Sequence, residues 1–314
     1  MNALRRCVFL SALALLLPGC NPRGPQPSNS PPIAVLALND WVLEGEKRPS
    51  SPAADAPRRI VSAAPRITEI LCALGMRGAL VGRTRYCTYP PDIAEVADIG
   101  DLAGLNVERL IELKPDLILV SGTSRAQSDR LAPLGIRIES LPDRTLDELF
   151  ASITKVDEIL HTGNGDRLIA NIKADLEAVD RAYRLSRRKV LLLIGTLADP
   201  PSPPFVAGPG SFYDELLHRA GLENAATEAG KAFGSLSLEY ILKADPDVII
   251  ELDPDGRSRP AGDADALRTW TQVGPLRAVI QRRVRVLRGP QHYLVGPRIA
   301  ETYAAICEAV ARGN

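Results

Sequence analysis

Four short stretches carry side chains that could grip a ligand. "GRTRYCTYPP" (82–91) holds Arg83, Arg85, Tyr86, Cys87 and Tyr89, and "VSGTSR" (120–125) is a polar loop after an apolar run. "AGPGSF" (207–212) sets Ser211 and Phe212 behind two glycines, at what reads as a helix N-terminus suited to a carboxylate, amide or phosphate. "GPQHYLVGPR" (289–298) offers His292, Tyr293 and Arg298. Aromatics are only 4% of the chain, so Tyr86, Tyr89, Phe212 and Tyr293 in loops stand out as apolar walls. The guanidinium groups suit an anionic rim, and His292 is the one imidazole placed to ligate a metal axially. Cys87 is the one thiol placed for chemistry, since Cys72 and Cys307 sit in apolar helical patterns.

Catalysis is a poor match for these residues. "GPGSF" is not a G-x-S-x-G elbow, and no Asp/His pair has an evident place beside Ser211. No Walker or G-x-G-x-x-G motif follows a strand. Three histidines in all, and no CxxC, argue against a resident zinc or manganese site. The chain reads as a binding protein, not an enzyme. Equal acidic and basic counts, 38 each, argue against nucleic acid as a partner.

Alternating strands and helices must position these loops. Ile60 and Val61 begin a strand, Pro65 opens a helix, and Ile67, Ile70, Leu71 and Leu74 follow at helical spacing before Gly75. A second strand in "ALVGRT", a third in "DLILV", one in "LGIRIESL" and a helix over 145–160 continue an α/β pattern with parallel sheets. A long helical stripe over 166–187 (Ile169, Ile172, Leu176, Val179, Tyr183) has no internal Gly or Pro. It reads as a rigid spacer that lets the flanking lobes move little. The strand "KVLLLIGTL" then restarts the pattern. The organisation is a first lobe over 57–163, a connecting helix over 164–187 and a second lobe over 188–314.

The halves repeat. "NVERLIELKPDLILV" (106–120) returns as "SLEYILKADPDVIIE" (237–251), with 131 positions separating Glu108 from Glu239, Pro115 from Pro246 and Asp116 from Asp247. A glutamate in each helix's first turn could simply complement the helix dipole. The cleft between two such lobes is the natural ligand site.

The first twenty residues, "MNALRRCVFLSALALLLPGC", have the charged start, apolar run and small-residue end of a secretory signal. The ending Leu17-Pro18-Gly19-Cys20 resembles a bacterial lipobox, which implies lipidation at Cys20. Residues 21–56 begin with a Pro/Ser/Asn-rich tether, with a short strand expected in "IAVLALND".

Together "RRIVSAAPRITEILCALG", "YPPDIAEVADIGDLAGLNVERLIELKPDLILVSG", "AGPGSFYDELLHRAGLENAA" and "LSLEYILKADPDVII" resemble the class III substrate-binding proteins of ABC importers, over about residues 57–312. The resemblance implies two Rossmann-like lobes joined by one long rigid helix. It implies a cleft that takes a corrinoid, with ferric siderophore or haem as alternatives. Any metal would enter only as part of that chelate, with no cofactor of the protein's own. It implies a monomer, held at the membrane by its lipid and docking onto a permease dimer through Glu108 and Glu239. Tyr89 matches a ligand-facing tyrosine of the corrinoid-binding members. Those members place tryptophans where this chain has Leu102 and Val120. Arg66 stands where relatives have a small polar residue and would intrude on the cleft.

Overall fold

In the computed structural model, which describes residues 56–101, 106–122 and 135–312, strand β1 (Ile60–Ser62) turns directly into helix α1 (Pro65–Ala73). Proline suits the first helical position because its missing N–H would be unpaired there anyway. Ile67, Ile70, Leu71 and Leu74 are all fully buried, and Gly75 takes the left-handed turn (φ 81°) that stops the helix. Strands β2 (Leu80–Arg83), β3 (Ala97–Asp98), β4 (Leu117–Ser121) and β5 (Arg137–Leu141) complete the first sheet, with helix α2 (Val107–Leu113) before β4. All its strands are parallel, in the order β3-β2-β1-β4-β5. The order reverses between β1 and β4, the point where such sheets bind ligands. Thr145 caps helix α3 (Leu146–Leu160) by accepting from the Glu148 N–H at 3.1 Å.

The connecting helix α4 runs Gly165–Ala182, shorter at its end than the expected 187. Arg184, Arg187 and Arg188 would stack like charges on one helical face. Released from the helix, Arg188 instead reaches the Val310 carbonyl and Arg187 pairs with Glu223. The buried stripe contains Ile172, Leu176 and Val179 as expected, with Leu168 inside and Ile169 only half-buried.

The second lobe is α/β like the first, but its sheet is mixed, not parallel. Strands β6 (Lys189–Leu193), β10 (Val248–Asp253) and β11 (Val284–Arg288) are parallel. Strands β7 (Phe205–Ala207) and β9 (Phe233–Ser235) add an antiparallel edge, and β8 (Glu223–Asn224) flanks β6. The cause is local: the prolines at 200, 201, 203 and 204 forbid a crossover helix between β6 and β7. The chain returns beside the strand it left, which only antiparallel pairing allows. Helices α5 (Phe212–Arg219), α6 (Leu238–Ala244), α7 (Asp263–Thr271), α8 (Arg277–Ile280) and α9 (Ile299–Ala311) cover the sheet.

The repeat extends to its hydrogen bonds. Asn106 caps α2 by accepting from the Arg109 N–H at 2.9 Å, and Ser237 caps α6 by accepting from the Tyr240 N–H at 3.2 Å. Both helices end on a residue with φ 45°, Lys114 and Asp245. Asp116 accepts from the Arg58 and Arg59 N–H groups at 2.8 and 3.1 Å, as Asp247 does from Lys189 at 2.8 Å. Arg59 and Lys189 return to the helix ends, donating to the Leu113 and Ala244 carbonyls at 2.6 and 3.0 Å. The repeated aspartate thus clasps the strand start and helix end of each lobe. The repeated glutamate takes no part in that clasp.

One core cluster runs unbroken through both lobes, from Ile60 and Ile67 through Ile172 of α4 to Val190, Phe212 and Ile299. Cys72 and Cys307 belong to it, as expected of small core residues. Cys20, the tether, the expected strand in "IAVLALND", Leu102 and residues 123–125 lie outside the described residues.

Candidate functional site

A cavity of about 420 Å³ opens between the lobes, at the switch point of the first sheet. Its first-lobe wall is polar: Arg66 follows β1, Ser121 ends β4, and Asp143 and Arg144 lie between β5 and α3. Its second-lobe wall is apolar, with Ile194, Phe212, Tyr213, Phe233, Tyr293 and Val295. Phe212 and Tyr213 lie 3.9 Å apart between ring centroids, with Phe233 6.3 and 6.4 Å from them. Such a site combines aromatic faces with a few placed polar groups, the usual form of a small-molecule site.

Arg66 dominates the polar wall. Its Nε donates to Ser121 Oγ at 2.8 Å and one NH2 group reaches the Leu141 and Pro142 carbonyls, while the other terminal nitrogen has no partner among the described residues. Burial lowers its pKa to about 10, against the opposing pull of Asp143 and Glu148. The Ser121 hydroxyl in turn donates to Asp143 Oδ2 at 2.8 Å. Arg144 beside it is exposed, and among the described residues its guanidinium has no ion-pair partner.

Two clasps hold the walls together. At one, the Phe212 N–H donates to the Arg144 carbonyl at 2.7 Å and the Leu146 N–H donates to Glu215 Oε2 at 2.9 Å. At the other, Arg298 meets Glu69 of α1 with two parallel bonds, 2.7 and 3.2 Å, its plane 3.9 Å over the Tyr89 ring. The two charged side chains are 12% and 3% exposed, so the pair is desolvated. Burial raises the Glu69 carboxyl above its ordinary pKa even against the pull of Arg298.

The expected contacts divide accordingly. Phe212 and Tyr293 line the cavity. Arg298 is not among the residues lining the cavity; it is held by Glu69 and, at 3.4 Å, by Glu301. Tyr89 lies under Arg298. Arg83 turns to the Ile93, Thr84 and Ala94 carbonyls at 2.9, 3.1 and 3.3 Å, holding the turn over 91–95. Arg85 pairs with Asp101 at 3.4 Å, and Tyr86 is 59% exposed. Ser211 is fully buried; its hydroxyl accepts from the Asp214 N–H and donates to the Gly208 carbonyl, so this side chain is committed to capping α5. Cys87 is buried beside Thr84, and desolvation pushes its thiol up, which disfavours the thiolate. Val120 packs in the first lobe's core with Val61 and Ile99.

Arg66 stands in the cleft, as the resemblance implied. Glu69, Asp143, Arg144, Tyr213 and Phe233 are residues the sequence reading passed over. For Asp143 and Arg144 a signal existed, since they occupy the loop after a parallel strand, where ligand groups gather.

His292 is buried, and its ring lies against its own neighbours. Its Nδ1 lies 3.3 Å from Thr302 Oγ1 and Nε2 lies 3.4 Å from Gln291, roles set by the tautomer. Burial lowers its pKa to about 4. Protonation therefore favours the unfolded chain, whose histidine titrates near 6.5. Stability is complete above that value and falls by about 3 kcal/mol as the pH drops toward 4. Melting curves between these limits should show a slope that His292→Gln reduces. An unchanged slope would place the acid sensitivity elsewhere.

Glu108 and Glu239 are exposed on the second residue of their helices, and among the described residues neither carboxylate has an ion-pair partner.

The chain matches the family model for periplasmic binding proteins over residues 60–290. An uncharacterised ABC transporter substrate-binding lipoprotein, YvrC of Bacillus subtilis, is 27% identical over 260 residues, 81% of this chain and 80% of that protein. The vitamin B12-binding protein of Pectobacterium atrosepticum is 27% identical over 203 residues, 62% of this chain and 71% of its own. The solved periplasmic heme-binding protein RhuT from Roseiflexus sp. RS-1, in apo form, superposes with a TM-score of 0.68 at 28% identity, covering 82% of this chain and 98% of that one.

Proposed function

The chain belongs to the periplasmic binding protein family, and from that premise we propose that it captures a cobalamin-type corrinoid in the interlobe cleft for an ABC importer. What carries this reading is a cleft with an aromatic wall whose lining, among the described residues, includes no histidine, cysteine or methionine to ligate a metal axially. His292 is engaged with its neighbours, and the Tyr293 phenol donates to the Leu252 carbonyl at 3.2 Å with its pKa pushed by burial up to about 12. A chelate bound here must bring its own axial ligands. Cobalamin does, through its attached base, whereas haem iron arrives with open axial positions. The corrin's amides can meet both donor and acceptor on the polar wall, Arg66 and Asp143. Its single phosphodiester charge suits the exposed guanidinium of Arg144.

Calorimetry should find cyanocobalamin bound more tightly than haemin or a ferric catecholate, with Arg144→Ala weakening it about tenfold. Tighter binding of haemin, or no binding of the corrinoid, sinks the assignment.

The mature chain is further proposed to work outside the cytoplasm, as a monomer anchored through lipid on Cys20. A relative named as a lipoprotein supports this, and among the described residues no helix is long and apolar enough to cross a membrane. Cys20→Ser should move the protein from the membrane pellet to the soluble extracytoplasmic fraction. Retention in the pellet counts against the anchor. Docking to two identical permease subunits falls, in the same reading, to Glu108 and Glu239.

A further inference from the structure

Resting on that docking reading, we propose that Ile111 and Leu242 form a matched pair of apolar contacts for the importer's two identical membrane subunits. Each subunit would offer a cation beside an apolar pocket. Among the described residues six large hydrophobic side chains are exposed, and three of them, Val107, Ile111 and Leu242, lie on the two repeat helices. Ile111 is 58% exposed and Leu242 41%, and they stand 131 positions apart, the spacing of the repeat itself. Scattered exposed leucines need no explanation. Two at one register, each three residues beyond an unpaired glutamate, share one pattern.

Residues three apart on a helix are surface neighbours. Leu110 and Ile241 face inward, fully buried, which leaves Glu108 with Ile111 and Glu239 with Leu242 on the outward side. In a contact, the apolar side chain would exclude water around the ion pair, where Coulomb attraction is stronger. A second copy of this chain fits poorly. Two-fold pairing of like patches gathers the glutamates of both copies into one interface, where like charges repel.

The full lipidated chain, carrying benzoylphenylalanine at position 111 or 242, is photo-crosslinked in its own cells. Both positions should capture one and the same multi-spanning membrane protein, which benzoylphenylalanine at Ile280 does not. Ile111→Ser or Leu242→Ser should lower affinity for that protein about tenfold while keeping its salt dependence. Glu108→Ala should flatten the salt dependence instead. If the serine variants bind within twofold of the parent while the alanine variant fails, the apolar contacts are refuted and glutamate docking stands. If benzoylphenylalanine beside either glutamate also captures no membrane protein, docking and apolar contacts fall together. A crosslinked dimer of this chain would overturn the inference in favour of self-association.

Discussion

The Arg298→Ala variant is expected to lose about 3–5 kcal/mol of stability, lowering its melting temperature by on the order of 10 °C. Removing Arg298 leaves Glu69 with a carboxylate that is 3% exposed and has lost its bidentate partner. It also removes the cation stacked on Tyr89 and the tie between α1 and the start of α9. Exposed pairs such as Arg109–Glu112 should cost under about 1 kcal/mol when broken, because water replaces the partner. The pH dependence carries a signature. The folded-state pKa of Glu69 is raised already and should rise further in the variant. A raised pKa means protonation favours the folded chain, so the deficit should be greatest at neutral pH and shrink as acid neutralises the carboxyl. Adding Glu69→Leu to the variant should recover part of the loss, since leucine has about the volume of glutamate and leaves no uncompensated buried charge. Calorimetric melts of the single and double variants would decide it. A loss below about 1 kcal/mol for Arg298→Ala would mean that the unbroken core alone joins the lobes.

Glu108→Ala combined with Glu239→Ala is expected to abolish uptake of labelled cyanocobalamin while leaving its affinity for the purified chain unchanged. Neither residue lines the cleft, and the aspartate clasps hold each lobe without them. Each glutamate buried against a cation would make a charge-assisted contact whose loss costs about 2–5 kcal/mol. The two act together, so losing one also removes the avidity of simultaneous engagement. Single variants should therefore be impaired well beyond half. Reversal to arginine should be worse than alanine, because it adds like-charge repulsion at the same place. Normal transport by the double variant would reduce both residues to helix-dipole partners, worth about 0.3–1 kcal/mol each.

The sequence by itself determined what depends on near neighbours. Asn106, Thr145 and Ser237 start their helices because a cap's partner lies three residues on, and Pro65 starts its own because its ring already holds a helical φ. The two lobes were legible from the repeated Pro-Asp after each short helix, since the same local clasp recurs wherever that spacing does. The core stripe of α1 followed from helical period alone. Tertiary structure decided the partners of long side chains. Arg298 lies beside Glu301 in sequence yet takes Glu69, 229 positions away, because the second lobe brings α9 against α1. Arg83, at the end of β2, and His292, in the turn before α9, come from stretches whose sequence suggested a ligand, yet folding turned one onto backbone carbonyls and the other toward Thr302. Arg144 lies in a loop where ligand groups gather, and the second lobe brings the Phe212 N–H onto its carbonyl beside the cavity. Caps and periods are set within a turn or two of chain. The reach of a guanidinium spans several elements, and which acceptors fall within it depends on sheet order and lobe packing.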